Sequence, residues 1–296
     1  MTAEGVHVQS RQVLAGGVRC HVLEAGSGTP LVLLHGTAID SARLSYAPSL
    51  PHLATRHRVL ALDWPGYGKS EVPRVHLTMV DYVRLLEAFL DAGSLTRVHL
   101  AGFSMGGAVA LGYALQDPRR VASLTMIGSY GLDDKVSVPL LPYLAMRAPI
   151  LRRSVVWGLR RSRLLTRAVL THVVFSDARF VTPELVAEVH EQLRAPEAER
   201  SFVAWLRGEL RPFRLDTSYA DRLPELAVPT LLLHGRNDRV VSWRKAEQAR
   251  RRIAQARLVL VPGCGHWLPR EAPEVFREEL LAFTRQVWPV APGALP

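Results

Sequence analysis

The chain has 296 residues, of which 48% are hydrophobic and 22% charged, and a formal net charge of +10. That apolar share fills a large core in one domain, or in a domain carrying an insertion, and no segment approaches the roughly 18–20 apolar residues that span a bilayer. The cysteines, Cys20 and Cys264, form no C-x-x-C pair, which argues against a disulfide scaffold or a thiolate zinc site and makes a reducing cytoplasm the default.

The start, "MTAEGVHVQSRQ", lacks the basic-then-apolar build of a secretory signal. The positive charge does not imply nucleic acid. Only Lys69, Lys135 and Lys245 are lysines, so 34 of the 37 basic residues are arginines, spread along the chain with one denser run from Arg147 to Arg167. No zinc finger, RNP sequence or aromatic-interleaved basic strand accompanies them.

"HVQSRQVLA" and "VRCHVLEAG" alternate around Gly16-Gly17 and predict an antiparallel hairpin. "PLVLLHG" and "RVLALD" are continuous apolar runs, the pattern of strands buried on both faces. "TMVDYVRLLEAFL" has helical spacing, with Val80, Val83, Leu86 and Leu90 on one side. "RVHLAGF" predicts a strand, "SMGGAVALGYALQ" a helix ended at Asp117-Pro118, and "VASLTMIG" a further strand. Strands and helices alternate as in a parallel α/β sheet.

From 129 to 226 this rhythm breaks into helical segments. "TPELVAEVHEQLR" starts with a cap residue, a proline at the first helical position and an acid in the first turn. The α/β pattern then returns through "VPTLLLHGRND", "SWRKAEQARRRIA", "ARLVLVPGCGHW" and "APEVFREELLAFTRQVW". The reading is a core of residues 1–128 and 227–296 with a helical cap inserted at 129–226. The last eight residues, "PVAPGALP", read as a loose tail.

Gly102-Phe103-Ser104-Met105-Gly106 is a common pentapeptide by chance, but here a buried strand ends at it and a helix begins. A serine held in a tight strand-to-helix turn needs tiny neighbours, which Gly102, Gly106 and Gly107 supply. It then faces the free amides of the helix start, which favour an oxyanion. The alternative is an ordinary serine N-cap. A nucleophilic serine needs a base, and His266 follows the last buried strand on a Gly-rich loop at the sheet's carboxyl edge, where ligands bind in open α/β sheets. His35 and His234 also follow buried strands.

Asp238, after the next-to-last strand and 28 residues before His266, is the carboxylate to orient the imidazole. Asp133 and Asp134 are the competing acids. Oxyanion donors are expected at the backbone N–H of Met105 and of Thr37, or Ala38, with His35-Gly36 shaping that loop. Trp267, Phe103, Leu144 and Met146 are candidates for the substrate pocket.

"LLHGT", "DWPGYGKS", "GFSMGG", "LLLHGRNDRVV" and "GCGHWLPREAPE" resemble the α/β-hydrolase superfamily over about residues 8–288. The layout is similar to its capped branch of esterases, cofactor-free haloperoxidases, epoxide hydrolases, haloalkane dehalogenases and carbon–carbon bond hydrolases of ring-cleavage products. The resemblance implies a mostly parallel eight-stranded sheet with helices on both faces, an inserted cap, the Ser…Asp…His order, and neither cofactor nor metal. Epoxide hydrolases and haloalkane dehalogenases of this branch carry aspartate where Ser104 stands, which argues against both activities.

"GYGKS" is no P-loop, because Asp63 occupies the position of the required first glycine. Cys264, two residues before His266, reads as a small buried residue rather than a reactive thiol. "GCGHW" and "FVTPELVAEVH" resemble the carbon–carbon hydrolases. Those enzymes hold an acidic substrate with a cap arginine, where this chain has Val189 followed by His190, and they favour more glycines where it has Thr37-Ala38.

The expectation is a serine hydrolase, foremost a carboxylesterase for small to medium apolar esters. The alternatives are a carbon–carbon bond hydrolase of ring-cleavage dienoates, an interfacial lipase, or a non-catalytic ligand-binding module on a hydrolase scaffold. The expected partner is a small-molecule ester, with no nucleic acid and no stable membrane insertion, and the sequence does not set the oligomeric state. The arginines of the cap, set among apolar residues, read as a solvated lid face, a membrane-surface helix or a lure for acidic substrates.

Overall fold

The computed structural model describes residues 5–133, 148–194, 196–211 and 214–288. Asp134, Leu144 and Met146 lie outside these residues. The chain opens with β1 (Gln9–Ala15) and β2 (Val18–Ala25), paired antiparallel with Ala15 opposite Val18. The two turn glycines, Gly16 and Gly17, take φ of 55° and 80°, the left-handed pair that a tight hairpin matching the strand twist requires. Then come β3 (Thr29–Leu34), the short helices α1 (Ala42–Tyr46) and α2 (Leu50–Leu53), β4 (His57–Leu62), α3 (Met79–Ala92), β5 (Val98–Phe103), α4 (Met105–Gln116) and β6 (Val121–Ile127).

After β6 come α5 (Pro149–Arg161), α6 (Arg163–Val169), a single π-helical turn at Leu170–Val174, α7 (Pro183–Arg194), α8 (Pro196–Glu209) and the hairpin β7 (Leu210–Arg211) and β8 (Arg214–Leu215). β9 (Thr230–Gly235), α9 (Trp243–Arg252), β10 (Ala256–Val261), α10 (Leu268–Glu271) and α11 (Pro273–Val287) complete the fold. The eight long strands form one sheet in the order β1-β2-β4-β3-β5-β6-β9-β10. It is antiparallel through β1, β2 and β4 and parallel from β4 to β10.

Every residue of β5, β6 and β9 is buried, because helices cover both faces of the parallel part. On one face α3 and α4 pack with Leu34, Leu62, Leu100 and Met126; on the other α1 and α11 pack with Leu31, Leu33, Ala101 and Leu233. α4 is buried from Met105 to Ala114 and is the central helix of the molecule. At about 25 cal/mol per Å2 of apolar surface removed from water, these two layers dominate the stability.

Two local expectations change. α3 starts with a capping box between Thr78 and Asp81, but Val80 is 58% exposed and the buried stripe runs through Met79, Tyr82, Val83, Leu86, Phe89 and Leu90. The larger Met79 and Tyr82 win the inner face at the first turn. The segment 129–226, expected to be a wholly helical cap, holds among its described residues the β7–β8 hairpin, whose two-residue strands are too short to leave a period-two pattern. No helix among the described residues is long and apolar enough to cross a membrane.

Candidate active site

β5 and α4 are joined by the single residue Ser104, at φ 51° and ψ −113°. This is a strained backbone for a residue with a side chain, and it is held by what surrounds it. A Cβ on Gly102 would collide with the Gly106 carbonyl, one on Gly106 with the Leu34 carbonyl, and one on Gly107 with the Ser129 side chain. Strand and helix therefore approach at a distance only glycine permits. The Ser104 side chain makes no capping bond to α4, and its backbone lies outside the extended region of an N-cap. The hydroxyl is directed instead to His266, with Oγ 3.2 Å from Nε2.

The other nitrogen of that ring, Nδ1, lies 2.8 Å from Asp238 Oδ2. Asp238 follows β9, and its Oδ1 accepts the Val240 and Val241 amides, each at 2.8 Å. Burial pushes its carboxyl up, but the facing His266 and the hydrogen bonds from His234 and His266 outweigh that and hold it well below the usual carboxylate range. It stays ionised, as a group that orients an imidazole and balances its cation must. Asp133 lies just past β6, and the bond of His266 goes to Asp238 rather than to it.

His35 and His234 are brought to the rim but point elsewhere. His35 Nε2 accepts the Trp64 amide at 3.0 Å and its Nδ1 donates to the Gly36 carbonyl at 2.8 Å, so both nitrogens are occupied by backbone. His234 Nε2 lies 2.9 Å from the Val241 carbonyl and 3.1 Å from Asp238 Oδ2, where it buttresses the acid. Cys264 is buried, and burial pushes its thiol well above the ordinary range.

The loop after β3 carries Gly36, Thr37 and Ala38. Asp40, fully buried, accepts the Gly36 amide at 2.7 Å and the Ser41 amide at 2.8 Å. Ser45 donates to Asp40 and in turn accepts the indole N–H of Trp267 at 2.8 Å. One chain of hydrogen bonds thus ties the loop after β3 to the residue next to His266. Tyr67 bonds the Thr37 hydroxyl at 2.9 Å. Phe103 lies against Gly36, with its ring 4.9 Å from that of His266. Trp267 is buried, its indole N–H turned to Ser45.

Asp40 and Ser45 have no role in the sequence reading, which places His234 at the rim but not beside Asp238. Asp40 left a faint signal, since Asp-Ser before "ARLSY" is a helix-start pattern. The segment after the π turn also docks on the His266 loop. The His266 amide donates to the Val174 carbonyl at 2.8 Å, and Glu271 accepts the Gly265 amide at 2.7 Å and the Ser176 amide at 2.8 Å.

A second Ser–His–Asp arrangement stands on the antiparallel edge. Ser10 Oγ is 2.6 Å from His21 Nε2, and His21 Nδ1 is 2.7 Å from Asp63 Oδ2. Ser10 sits in an exposed, extended strand with no helix start behind it, so nothing there presents amides to an oxyanion. Asp63 also accepts the Ala42 and Lys69 amides, which makes this cluster a brace for the loop Asp63–Ser70. Among the described residues no group of three or more His, Cys, Asp or Glu side chains is placed to hold a metal ion.

A serine, histidine and carboxylate set at the carboxyl edge of this sheet, with the serine in a strained turn, define a hydrolase. The chain belongs to the α/β-hydrolase fold family, whose sequence model matches residues 29–273. It is 29% identical to a 2-hydroxy-6-oxo-2,4-heptadienoate hydrolase of Pseudomonas putida, over 88% of this chain and 91% of that one. Among solved structures it is similar to a serine hydrolase involved in carbazole degradation, with TM-score 0.80, 26% identity and coverage of 95% and 100% of the two chains. It is also similar to a thermophilic esterase from Thermogutta terrifontis, with TM-score 0.74, 26% identity and coverage of 94% and 99%.

Proposed function

We propose that the protein cleaves an acyl carbon–carbon bond in a dienoate of the ring-cleavage type, through an acyl-enzyme on Ser104. The observation that carries the hydrolytic part is the run of contacts Ser104–His266–Asp238, 3.2 and 2.8 Å, at a strained turn. The choice of bond rests on the similarity to the heptadienoate hydrolase. In this reading residues 1–128 and 227–296 form the catalytic core and 129–226 a cap over it.

His266 takes the proton of Ser104, whose oxygen attacks the substrate carbonyl. The amides of Met105 and Thr37 hold the oxyanion; Met105 is the first residue of α4, so its N–H has no partner within the helix. The bond from the carbonyl carbon to its neighbour then breaks. The departing carbon is tetrahedral in the keto tautomer, formed when the proton of the substrate's 2-hydroxyl moves to that carbon before the attack; it leaves with the bonding pair, which conjugation spreads over the remaining enone to the 2-oxygen, and that oxygen takes the proton from His266. Water, deprotonated by His266, attacks the acyl-enzyme, and Ser104 regains the proton as the acid departs. Asp238 keeps the imidazole oriented throughout.

A second reading, a carboxylesterase for small to medium apolar esters, has its own support. Val189 on α7 is fully buried among Leu185, Val186 and Leu170. The carbon–carbon hydrolases that this chain resembles would carry an arginine for an acidic substrate there. The same five groups hydrolyse an ester with an alkoxide as the leaving group.

The test is steady-state turnover of 2-hydroxy-6-oxo-dienoates against p-nitrophenyl esters of graded acyl length. The proposal expects the larger kcat/KM on the dienoate, and the larger value on the ester would replace it with the second reading. Turnover of either that survives Ser104→Ala would overturn both.

A further inference from the structure

We infer that the cap carries a docking surface for an anionic lipid bilayer, built on α5 and α6. Of the thirteen large hydrophobic residues that are exposed among the described residues, nine lie between 150 and 180. Ile150 is 81% exposed, Trp157 61% and Leu164 80%. Exposed apolar side chains concentrated in one segment, with only four scattered elsewhere among the described residues, mark an interaction face.

On α5 the exposed face has a regular build. Ile150, Arg153, Trp157 and Arg161 are spaced by three, four and four residues, which places them in one row along the helix. All four are exposed. Leu151 and Val155 flank the row, and Leu164, Leu165 and Val169 extend the apolar surface along α6. The guanidinium of Arg161 lies over the Trp157 ring, 5.0 Å from its centroid. An indole beside a guanidinium suits the headgroup layer, where the ring meets the acyl boundary and the cation meets phosphate.

Charge selects the occupant. Residues 148–176 contain six arginines and no aspartate or glutamate. A groove beside the row, lined by Trp157, Arg160, Arg161, His190 and Arg194, joins α5 to α7 and widens the basic surface; the exposed Glu191 is next to it on α7. A second copy of the chain would bring the same arginines face to face. Nucleic acid would match the charge but offers no apolar phase for Ile150, Trp157 and Leu164. An anionic bilayer matches both, with arginines at the lipid phosphates and the short apolar row at the depth of the headgroups. The attachment is peripheral. It does not depend on which bond the enzyme cleaves, and its place on the inserted segment would bring the site to substrates dissolved in the membrane.

The test is co-sedimentation of the full chain with vesicles of phosphatidylcholine alone and of equal parts phosphatidylcholine and phosphatidylglycerol, at low ionic strength. The proposal expects at least about tenfold stronger binding to the anionic vesicles, reduced by salt. Ile150→Ser with Trp157→Ser should remove the apolar part of the binding, and Arg153→Ser with Arg161→Ser its salt-sensitive part. All four substitutions leave turnover of a soluble substrate unchanged. In the wild type, brominated lipid should quench a fluorescence component that Trp157→Phe abolishes, which keeps the proposal testable if a serine variant misfolds. Equal binding to both vesicles, binding undiminished in the Ile150/Trp157 variant, or a dimer that this variant dissociates would overturn it.

Discussion

Two serines in this protein each have a histidine and an aspartate behind them, and their surroundings separate their roles. Ser104 has a strained backbone, a helix start and a buried side chain; Ser10 has an extended strand and an exposed position. A fluorophosphonate should therefore label the wild type and Ser10→Ala alike and leave Ser104→Ala unlabelled. Ser104→Ala should lower kcat by about 10^4-fold or more. Asp238→Asn should cost about 10^4 in kcat with little change in KM, because an amide at that place favours the wrong tautomer of His266. At this scale the sequence was informative about Ser104, Asp238 and His266, since each follows a strand and the chain order alone brings them to one edge. It could not show His234 beside Asp238 or Asp40 under Gly36, because those contacts depend on how loops curl after leaving the sheet.

Between elements, the joint that matters most to the site runs from the π turn to the loop between β10 and α10. Ser176 bonds both the Gly263 carbonyl and the Glu271 carboxylate, and Val174 accepts the His266 amide. These bonds fix the height of the imidazole above the sheet. Ser176→Ala should cost about 1.5–3 kcal/mol in urea unfolding, the worth of hydrogen bonds to a charged group. It should also lower kcat several-fold while KM holds; a loss of stability with kcat intact would show that the joint is structural only. The loss of strand rhythm is what sets off 129–226 in the sequence as an expected insertion. The point where it touches the core has no such sign, because Ser176 and Glu271 are far apart in sequence and neither carries a motif.

Over the whole molecule, two buried histidines make stability depend on pH. His57 is wedged between Thr29 and Thr284, and burial lowers its pKa to about 4; His99 bonds Ser123 at 2.7 Å, and burial, with His57 and Arg97 nearby, lowers its pKa to about 3. Both are neutral in the fold, while an unfolded chain protonates them near 6.5. The unfolded state binds more protons below that pH, so stability is full above about 6.5 and falls as pH drops toward 4, a tenfold difference in proton affinity being worth about 1.4 kcal/mol. Urea midpoints measured from pH 7.5 to 4.5 should fall steeply across this window, and His57→Gln with His99→Gln should flatten the fall.

By itself the sequence determined the α/β layering and the mostly parallel sheet, and it set Ser104, Asp238 and His266 each behind a strand. Those follow from local rules, in which apolar runs make buried strands and strand ends place their loops on one edge. Only the tertiary structure decided that Ser104 is turned to His266 and makes no capping bond, that Thr37 bonds Tyr67, and that Ile150 and Trp157 of α5 face outward. These depend on contacts between segments distant in the chain, where packing and hydrogen-bond satisfaction choose among arrangements that local pattern leaves equal.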